Sequence, residues 1–198
     1  MPRFIATHPF YLIRHGQTDW NAEGRFQGSV DIPLNDTGRA QAKRNGVMFK
    51  AELPNIEGWR FVSSPLSRAR ETMEIVRAGA GLDPADYELE PMLREVSYGD
   101  WERHTIEELS LTDPKGIAAR ATDKWGFVPP NGESYMILAG RIRAFLSSLD
   151  GPTIITAHGG VLRSIYYLIG DMEPEEAATA DVPQDKFLFV EGAKLRWI

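Results

Sequence analysis

Cysteine is absent from the 198 residues. That excludes disulfides, thiolate nucleophiles and thiolate-ligated metals. Positive charge is in short supply, with 22 Lys and Arg against 28 Asp and Glu and a net charge of −6. This balance argues against a nucleic-acid or membrane surface, where a basic excess would help. It does not argue against a small anionic ligand, which a local cluster of Arg and His can hold. Long apolar runs are also missing, and none approaches the roughly 20 residues of a membrane span. The opening segment, Met1 to His8, has no apolar stretch followed by small residues. No leader is therefore expected, and a cytoplasmic location is. Neither an internal repeat nor a low-complexity tract is visible.

What is present is an ordinary globular composition, 42% hydrophobic and 25% charged. A chain of this length buries a sizeable core without staples. One domain over 1–198 is the expectation. Phe10-Tyr11-Leu12-Ile13 reads as a buried strand, ending in Arg14-His15-Gly16. A helix start follows at Pro33 to Thr37, with Asn35 or Thr37 as cap, and the helix runs to about Glu52. Trp59 to Ser64 suggests a second strand. Leu66, Ala69, Met73 and Val76 then fall at helical spacing. Tyr87 to Glu90 is a weaker strand. Residues 99–132 look irregular and form a cap-like excursion. Leu138, Ile142, Phe145 and Leu149 mark an amphipathic helix. Thr153 to Ala157 is the strongest strand signal and runs into His158-Gly159-Gly160, with an apolar helix over 161–169. Lys186 to Val190 and Lys194 to Ile198 read as a closing hairpin around Glu191-Gly192. Alternating strands and helices imply an α/β layered fold with a largely parallel sheet. Ligands in such sheets sit beyond the carboxyl ends of the strands, where both His-Gly elements fall.

Those elements carry the chemistry. An imidazole with an ordinary pKa near 6.5 is a competent nucleophile toward phosphorus, with one ring nitrogen attacking while a carbonyl orients the other. Arg14 beside His15 can hold phosphate oxygens bidentately. Gly16 allows close backbone approach. An isolated His-Gly pair would more simply be a strand-terminal structural histidine, but Ala157-His158-Gly159-Gly160 repeats the arrangement at a helix start, which favours an anion. Arg68, in the first turn after Ser64-Pro65-Leu66, adds a cation at a third strand-to-helix junction. Arg70 reads equally well as a solvated charge. Proton transfer to a leaving oxygen needs a carboxyl group. From the residues alone, Glu95 and Glu102 are equal candidates.

Taken together, these strings resemble the histidine phosphatase superfamily, also called the phosphoglycerate mutase-like family. The match comprises Arg14-His15-Gly16-x-Thr18, Trp20-Asn21, Gln27-Gly28, Ser64-Pro65-Leu66, Arg68-Ala69-Arg70-Glu71-Thr72, Leu93-x-Glu95, Gly99-x-Trp101-Glu102, Gly132-Glu133-Ser134 and His158-Gly159-Gly160. The resemblance implies a three-layer α/β/α sandwich with a mostly parallel central sheet. It implies His15 as the phosphorylated nucleophile and Glu95, rather than Glu102, as the general acid and base. Arg14, Arg68 and His158 match phosphate-holding residues. Asn21, Gln27, Gly28, Thr18 and Gly159 are the expected substrate-binding positions. No metal or organic cofactor is implied. The expected partner is a small phosphorylated substrate, with neither nucleic acid nor membrane. The C-terminal edge strand offers a surface for a homodimer. One departure is Arg103, where many relatives have Gly after Trp-Glu.

The resemblance favours a phosphomonoesterase over three alternatives. A cofactor-dependent phosphoglycerate mutase would be longer, would carry Lys at the position of Ile106, and would tend to read His-Gly-Asn rather than His158-Gly159-Gly160. A non-catalytic binding protein would not keep the full set of site residues. A metallohydrolase using His8, His15, His104 and His158 lacks the spacing and carboxylates of a zinc site. Specificity is expected in the segment from Arg103 to Gly132, with Lys124, Trp125 and Phe127 as leaving-group contacts.

Overall fold

The computed structural model describes residues 3–198; Met1 and Pro2, the start of the segment read for a leader, lie outside the described residues. Six strands form one sheet in the order β3-β2-β4-β1-β5-β6. They are β1 (Phe10–Arg14), β2 (Arg60–Ser63), β3 (Glu88–Leu89), β4 (Thr153–Ala157), β5 (Phe187–Glu191) and β6 (Lys194–Trp197). The β3-β2, β2-β4 and β4-β1 pairs are parallel, while β1-β5 and β5-β6 are antiparallel. The expected mostly parallel sheet is therefore what forms, closed at one edge by the expected hairpin.

Alternation along β1 divides the core into two layers. Tyr11 and Ile13 face a cluster with Phe49, Met73 and Val76, on helices α2 (Asp36–Glu52) and α3 (Ser67–Ala80). Phe10 and Leu12 face the opposite cluster, with Leu138, Ile142, Val161 and Ile165 on α6 (Tyr135–Ser147) and α7 (Gly159–Leu168). A strand apolar at every position needs a helical layer on each side, and this one has both. Shorter helices are α1 (Asp19–Ala22), α4 (Ile106–Thr112), α5 (Pro114–Thr122) and α8 (Pro174–Thr179). No helix of the described residues is long and apolar enough to cross a membrane.

Cap chemistry sets several boundaries. Asn35, not Thr37, caps α2, accepting a hydrogen bond from the Gly38 N–H at 2.9 Å. The segment over 99–132 is less irregular than its prolines suggest. Thr105 and Glu108 form a reciprocal capping box that starts α4, and Asp113 caps α5 with Pro114 in its first turn. Pro114 begins a helix instead of breaking one, while Pro129 and Pro130 lie in the turn that follows.

Candidate active site

Register brings the site together. Arg14 lies beside Ala157 across β1 and β4, so His15 and His158 emerge side by side from the carboxyl ends of the two strands. The His15 N–H donates to the Ala157 carbonyl at 2.9 Å. The two rings lie 5.1 Å apart, centroid to centroid. Ser64 leaves β2 next in line, and its hydroxyl lies 2.7 Å from His158 Nε2. Close backbone packing behind His15 leaves no room for a side chain at Gly16, whose Cβ would stand 2.3 Å from the Gly38 carbonyl oxygen.

The protonation state of His15 follows from its neighbours. Its Nδ1 lies 2.7 Å from the Gly16 carbonyl, which can only accept, so Nδ1 carries the proton and the lone pair is on Nε2. Burial, then the guanidinium groups of Arg68 and Arg14, hold the imidazole well below its usual range. Burial, Arg68, His15 and Arg14 do the same to His158. Both rings are neutral at neutral pH. In the unfolded chain each takes up a proton below about pH 6.5 that the folded state refuses, so the unfolded state binds more protons there and stability falls as pH drops. Each ring should add a slope approaching about 1.4 kcal/mol per pH unit between pH 6.5 and its lower folded value. Urea unfolding from pH 7 to pH 5 should show the slope, and His15→Gln and His158→Gln should each flatten it. An unchanged slope in both variants would refute the buried neutral state.

A cavity of about 120 Å³ opens over these rings, lined by Arg14, His15, Asn21, Gln27, Gly28, Arg68, Glu95 and Gly159 among others. Arg68 is fully buried and donates to the Gly28 and Val30 carbonyls, each at 2.8 Å. Arg14 donates to the Val182 carbonyl. Both guanidinium groups are thus anchored at one end. Arg14 Nε, Arg68 Nε, His158 Nδ1 and Gln27 Oε1 are buried without a hydrogen-bond partner, and among the described residues Asn45 Oδ1 is the one other such atom. Four orphaned polar atoms on adjacent site residues mark where a ligand's own polar atoms belong, because burying them unpaired costs about 1–3 kcal/mol each. A second cleft, about 270 Å³, is lined by Arg3, Tyr167, Asp171 and Met172 among others. Its Arg3 is already tied to the Ile169 carbonyl and to Asp171. The cations around the smaller cavity suit an anion and repel a metal ion.

The two carboxylates left equal by the residues separate by position. Glu95 lines the cavity, and its carboxylate accepts from the Gly160 N–H at 3.0 Å and the Val96 N–H at 2.9 Å. Glu102 faces away and latches loops. It accepts from the Ser29 N–H and hydroxyl, the Ser97 hydroxyl and the Tyr98 N–H. Of the expected site residues, two do not line the cavity: His158, fully buried with Nε2 against the Ser64 hydroxyl, and Thr18. Thr18 is fully buried as the cap of α1, where its hydroxyl and N–H bond Asn21. Asn21 Oδ1 is thereby occupied, leaving its amide nitrogen for the cavity.

Several contributors carry no local signal. Gln184 donates to the His15 carbonyl at 3.1 Å and to Asn21 Oδ1 at 3.2 Å, from a loop 169 positions along the chain. Arg141, paired with Glu133 at 2.9 Å, donates to the Met92, Arg94 and Glu95 carbonyls and so fixes the segment that carries Glu95. Arg163 and Tyr98 also line the cavity. Two expected leaving-group contacts are structural instead. Trp125 is buried against Tyr135 and Tyr167, and Phe127 packs on Trp101.

Arg103 has φ +79°, a left-handed backbone that suits glycine. Its N–H donates to the Phe26 carbonyl, and the Phe26 N–H to the His104 carbonyl, so this bend joins the cap to the cavity loop. Arg103→Gly should stabilise the protein by about 1 kcal/mol in urea unfolding. A loss of stability would mean that the exposed Arg103 side chain contributes more than its backbone costs.

A six-stranded, mostly parallel sheet with two His-Gly elements and two buried arginines at one cavity defines an α/β protein with a site suited to an anion. The chain belongs to the histidine phosphatase superfamily (branch 1), whose profile matches residues 10–192. It is 32% identical over 157 residues to the adenosylcobalamin/alpha-ribazole phosphatase of Salmonella typhimurium, covering 77% of this chain and 74% of that one. Phosphoglycerate mutase-like protein 4 of Arabidopsis thaliana is 33% identical over 161 residues, covering 78% and 68%. The crystal structure of phosphoglycerate mutase from Thermus thermophilus superposes with a TM-score of 0.71 at 33% identity, covering 94% and 97%. The relatives of this chain thus include proteins named as phosphatases and as mutases.

Proposed function

We propose that the protein is a phosphomonoesterase that passes the phosphoryl group of a small substrate through His15 to water. The observation that carries this reading is the set of orphaned buried donors on Arg14, Arg68 and His158 around a neutral His15 with its lone pair on Nε2. In the first step Nε2 attacks phosphorus in line, the bond from phosphorus to the ester oxygen breaks, and that oxygen takes a proton from the Glu95 carboxyl. In the second step water gives a proton to Glu95, its oxygen attacks phosphorus, and the N–P bond breaks to release inorganic phosphate and neutral His15. Arg14 and Arg68 offset the charge on the equatorial oxygens throughout, without a metal or cofactor. His158 Nδ1 donates to one of those oxygens, which requires the Ser64 hydroxyl to donate to Nε2. The same pocket could return the phosphoryl group to a second hydroxyl, as a mutase does, but Ile106 and Gly160 depart from the mutase pattern.

The N–P bond of a phosphohistidine is labile in acid and survives alkali, so the test is rapid quenching into alkali followed by mass spectrometry. A phosphoryl adduct on His15 that forms and decays during turnover of 4-nitrophenyl phosphate, in the presence of chelator, is the expected result. Turnover with no adduct on His15 would overturn the mechanism.

A further inference from the structure

One loop reaches the site from the far end of the chain. It joins α8 to β5 and supplies the Val182 carbonyl that holds Arg14. The same loop presents Gln184, half-buried, whose carboxamide donates from Nε2 to the His15 carbonyl at 3.1 Å and to Asn21 Oδ1 at 3.2 Å. Asn45, fully buried on α2, seats it by donating from Nδ2 to the Gln184 carbonyl at 3.1 Å. That bond leaves Asn45 Oδ1 without a partner, so a buried carboxamide stays half-satisfied to hold this loop. Arg44 pairs with Asp185 at 3.6 Å beside it.

Hydrogen-bonding sense passes along these groups. A carbonyl can only accept, so the atom of Gln184 that faces His15 is its nitrogen. That nitrogen can only donate, so the atom of Asn21 that faces it is the oxygen. The Thr18 N–H, at 3.1 Å, requires the same of Asn21. Two obligate donors therefore turn the Asn21 nitrogen toward the cavity, where an N–H suits a phosphoryl oxygen and a carbonyl would repel it. The contact with His15 has a second consequence. The Gly16 N–H, on the other side of the same peptide, donates to the Thr72 hydroxyl at 3.2 Å. Gln184 and Thr72 thus hold both polar atoms of the His15–Gly16 peptide, next to the Gly16 carbonyl that orients the His15 ring.

We propose that Gln184 is a positioning residue for phosphoryl transfer, acting through Asn21 and the His15–Gly16 peptide and not on the substrate. This deepens the phosphomonoesterase reading and rests on it. Gln184 does not itself line the cavity. Its amide fixes which end of the Asn21 carboxamide meets the phosphoryl group, and it ties that contact to the backbone of the nucleophile.

A double-mutant cycle read by calorimetry with inorganic phosphate tests it. Gln184→Met keeps the length of the side chain and removes its donor. It should weaken phosphate binding by about tenfold, the value of one hydrogen bond to a charged group. In an Asn21→Ala background the same substitution should weaken it by less than about twofold. A merely structural role would cost the same in both backgrounds. Equal losses, or no loss in the otherwise wild-type protein, would overturn the proposal. If either variant does not fold, the wild-type protein decides. Phosphate should shift the Asn21 carboxamide protons downfield in a nitrogen-edited NMR spectrum, and unmoved protons would overturn the proposal as well. Turnover enters neither measurement, so a failure to hydrolyse 4-nitrophenyl phosphate would count against the hydrolase reading alone.

Discussion

His15→Ala should lower kcat for 4-nitrophenyl phosphate by at least about 10⁴-fold, since removing a covalent nucleophile collapses a two-step route to whatever the remaining groups achieve. The variant should still fold. The ring is buried, but its hydrogen bonds are local, to the Gly16 carbonyl and, through the backbone, to Ala157 and Gln184. It should also still bind inorganic phosphate, because Arg14, Arg68 and His158 keep their orphaned donors. Steady-state kinetics with chelator present, thermal unfolding and phosphate calorimetry together check it. Folded, phosphate-binding protein with no turnover is the expected outcome. Folded protein with undiminished turnover would remove His15 from the mechanism.

Gly160→Ala should show a different pattern. A Cβ there would lie 2.3 Å from Glu95 Oε1 and 2.9 Å from Leu138 Cδ2. The carboxylate is the end of a flexible side chain, so it can move, but moving takes it from the position set by the Gly160 and Val96 N–H groups. The folding cost should be modest, about 1–3 kcal/mol of overpacking partly offset by better helix propensity. The catalytic cost should be large wherever the leaving oxygen needs a proton. An alkyl phosphate should lose roughly 10²–10⁴-fold in kcat/KM. 4-Nitrophenyl phosphate, whose leaving oxygen departs readily as an anion, should lose less in the first step. Equal, small losses on both substrates would argue that Glu95 does not supply the proton. Gly16→Ala provides the contrast. Its Cβ would meet the backbone of Gly38, which cannot swing aside, so it should damage folding first.

Legibility is uneven across the chain, for physical reasons. Strand and helix positions are open to reading wherever burial imposes a period. Phe10 to Ile13 and Thr153 to Ala157 are apolar because helices cover both faces of the sheet, and continuous runs record that. The cap reads wrongly as irregular because the signals there are Thr105, Glu108 and Asp113 starting short helices, in a segment too polar to show a period. Thr18 falls among the expected ligand contacts because it shares a motif with His15. Motifs mark residues that a fold needs together, and a buried cap satisfies that as well as a ligand contact does.

The sequence by itself determined the layered α/β class, the two His-Gly elements at strand ends and the chemical types gathered there, since each rests on near neighbours in the chain. It left Glu95 and Glu102 equal until a family resemblance chose between them. The physical reason for that choice is tertiary. Glu95 reaches the cavity because Arg141 holds its backbone and the start of α7 holds its carboxylate, while Glu102 is consumed by Ser29, Ser97 and Tyr98. Tertiary structure alone also placed Gln184 against the His15 carbonyl and left Arg14, Arg68 and His158 each with a buried unpaired donor position. Those features depend on contacts between segments distant in sequence, which leave no periodicity or spacing for a linear reading to find.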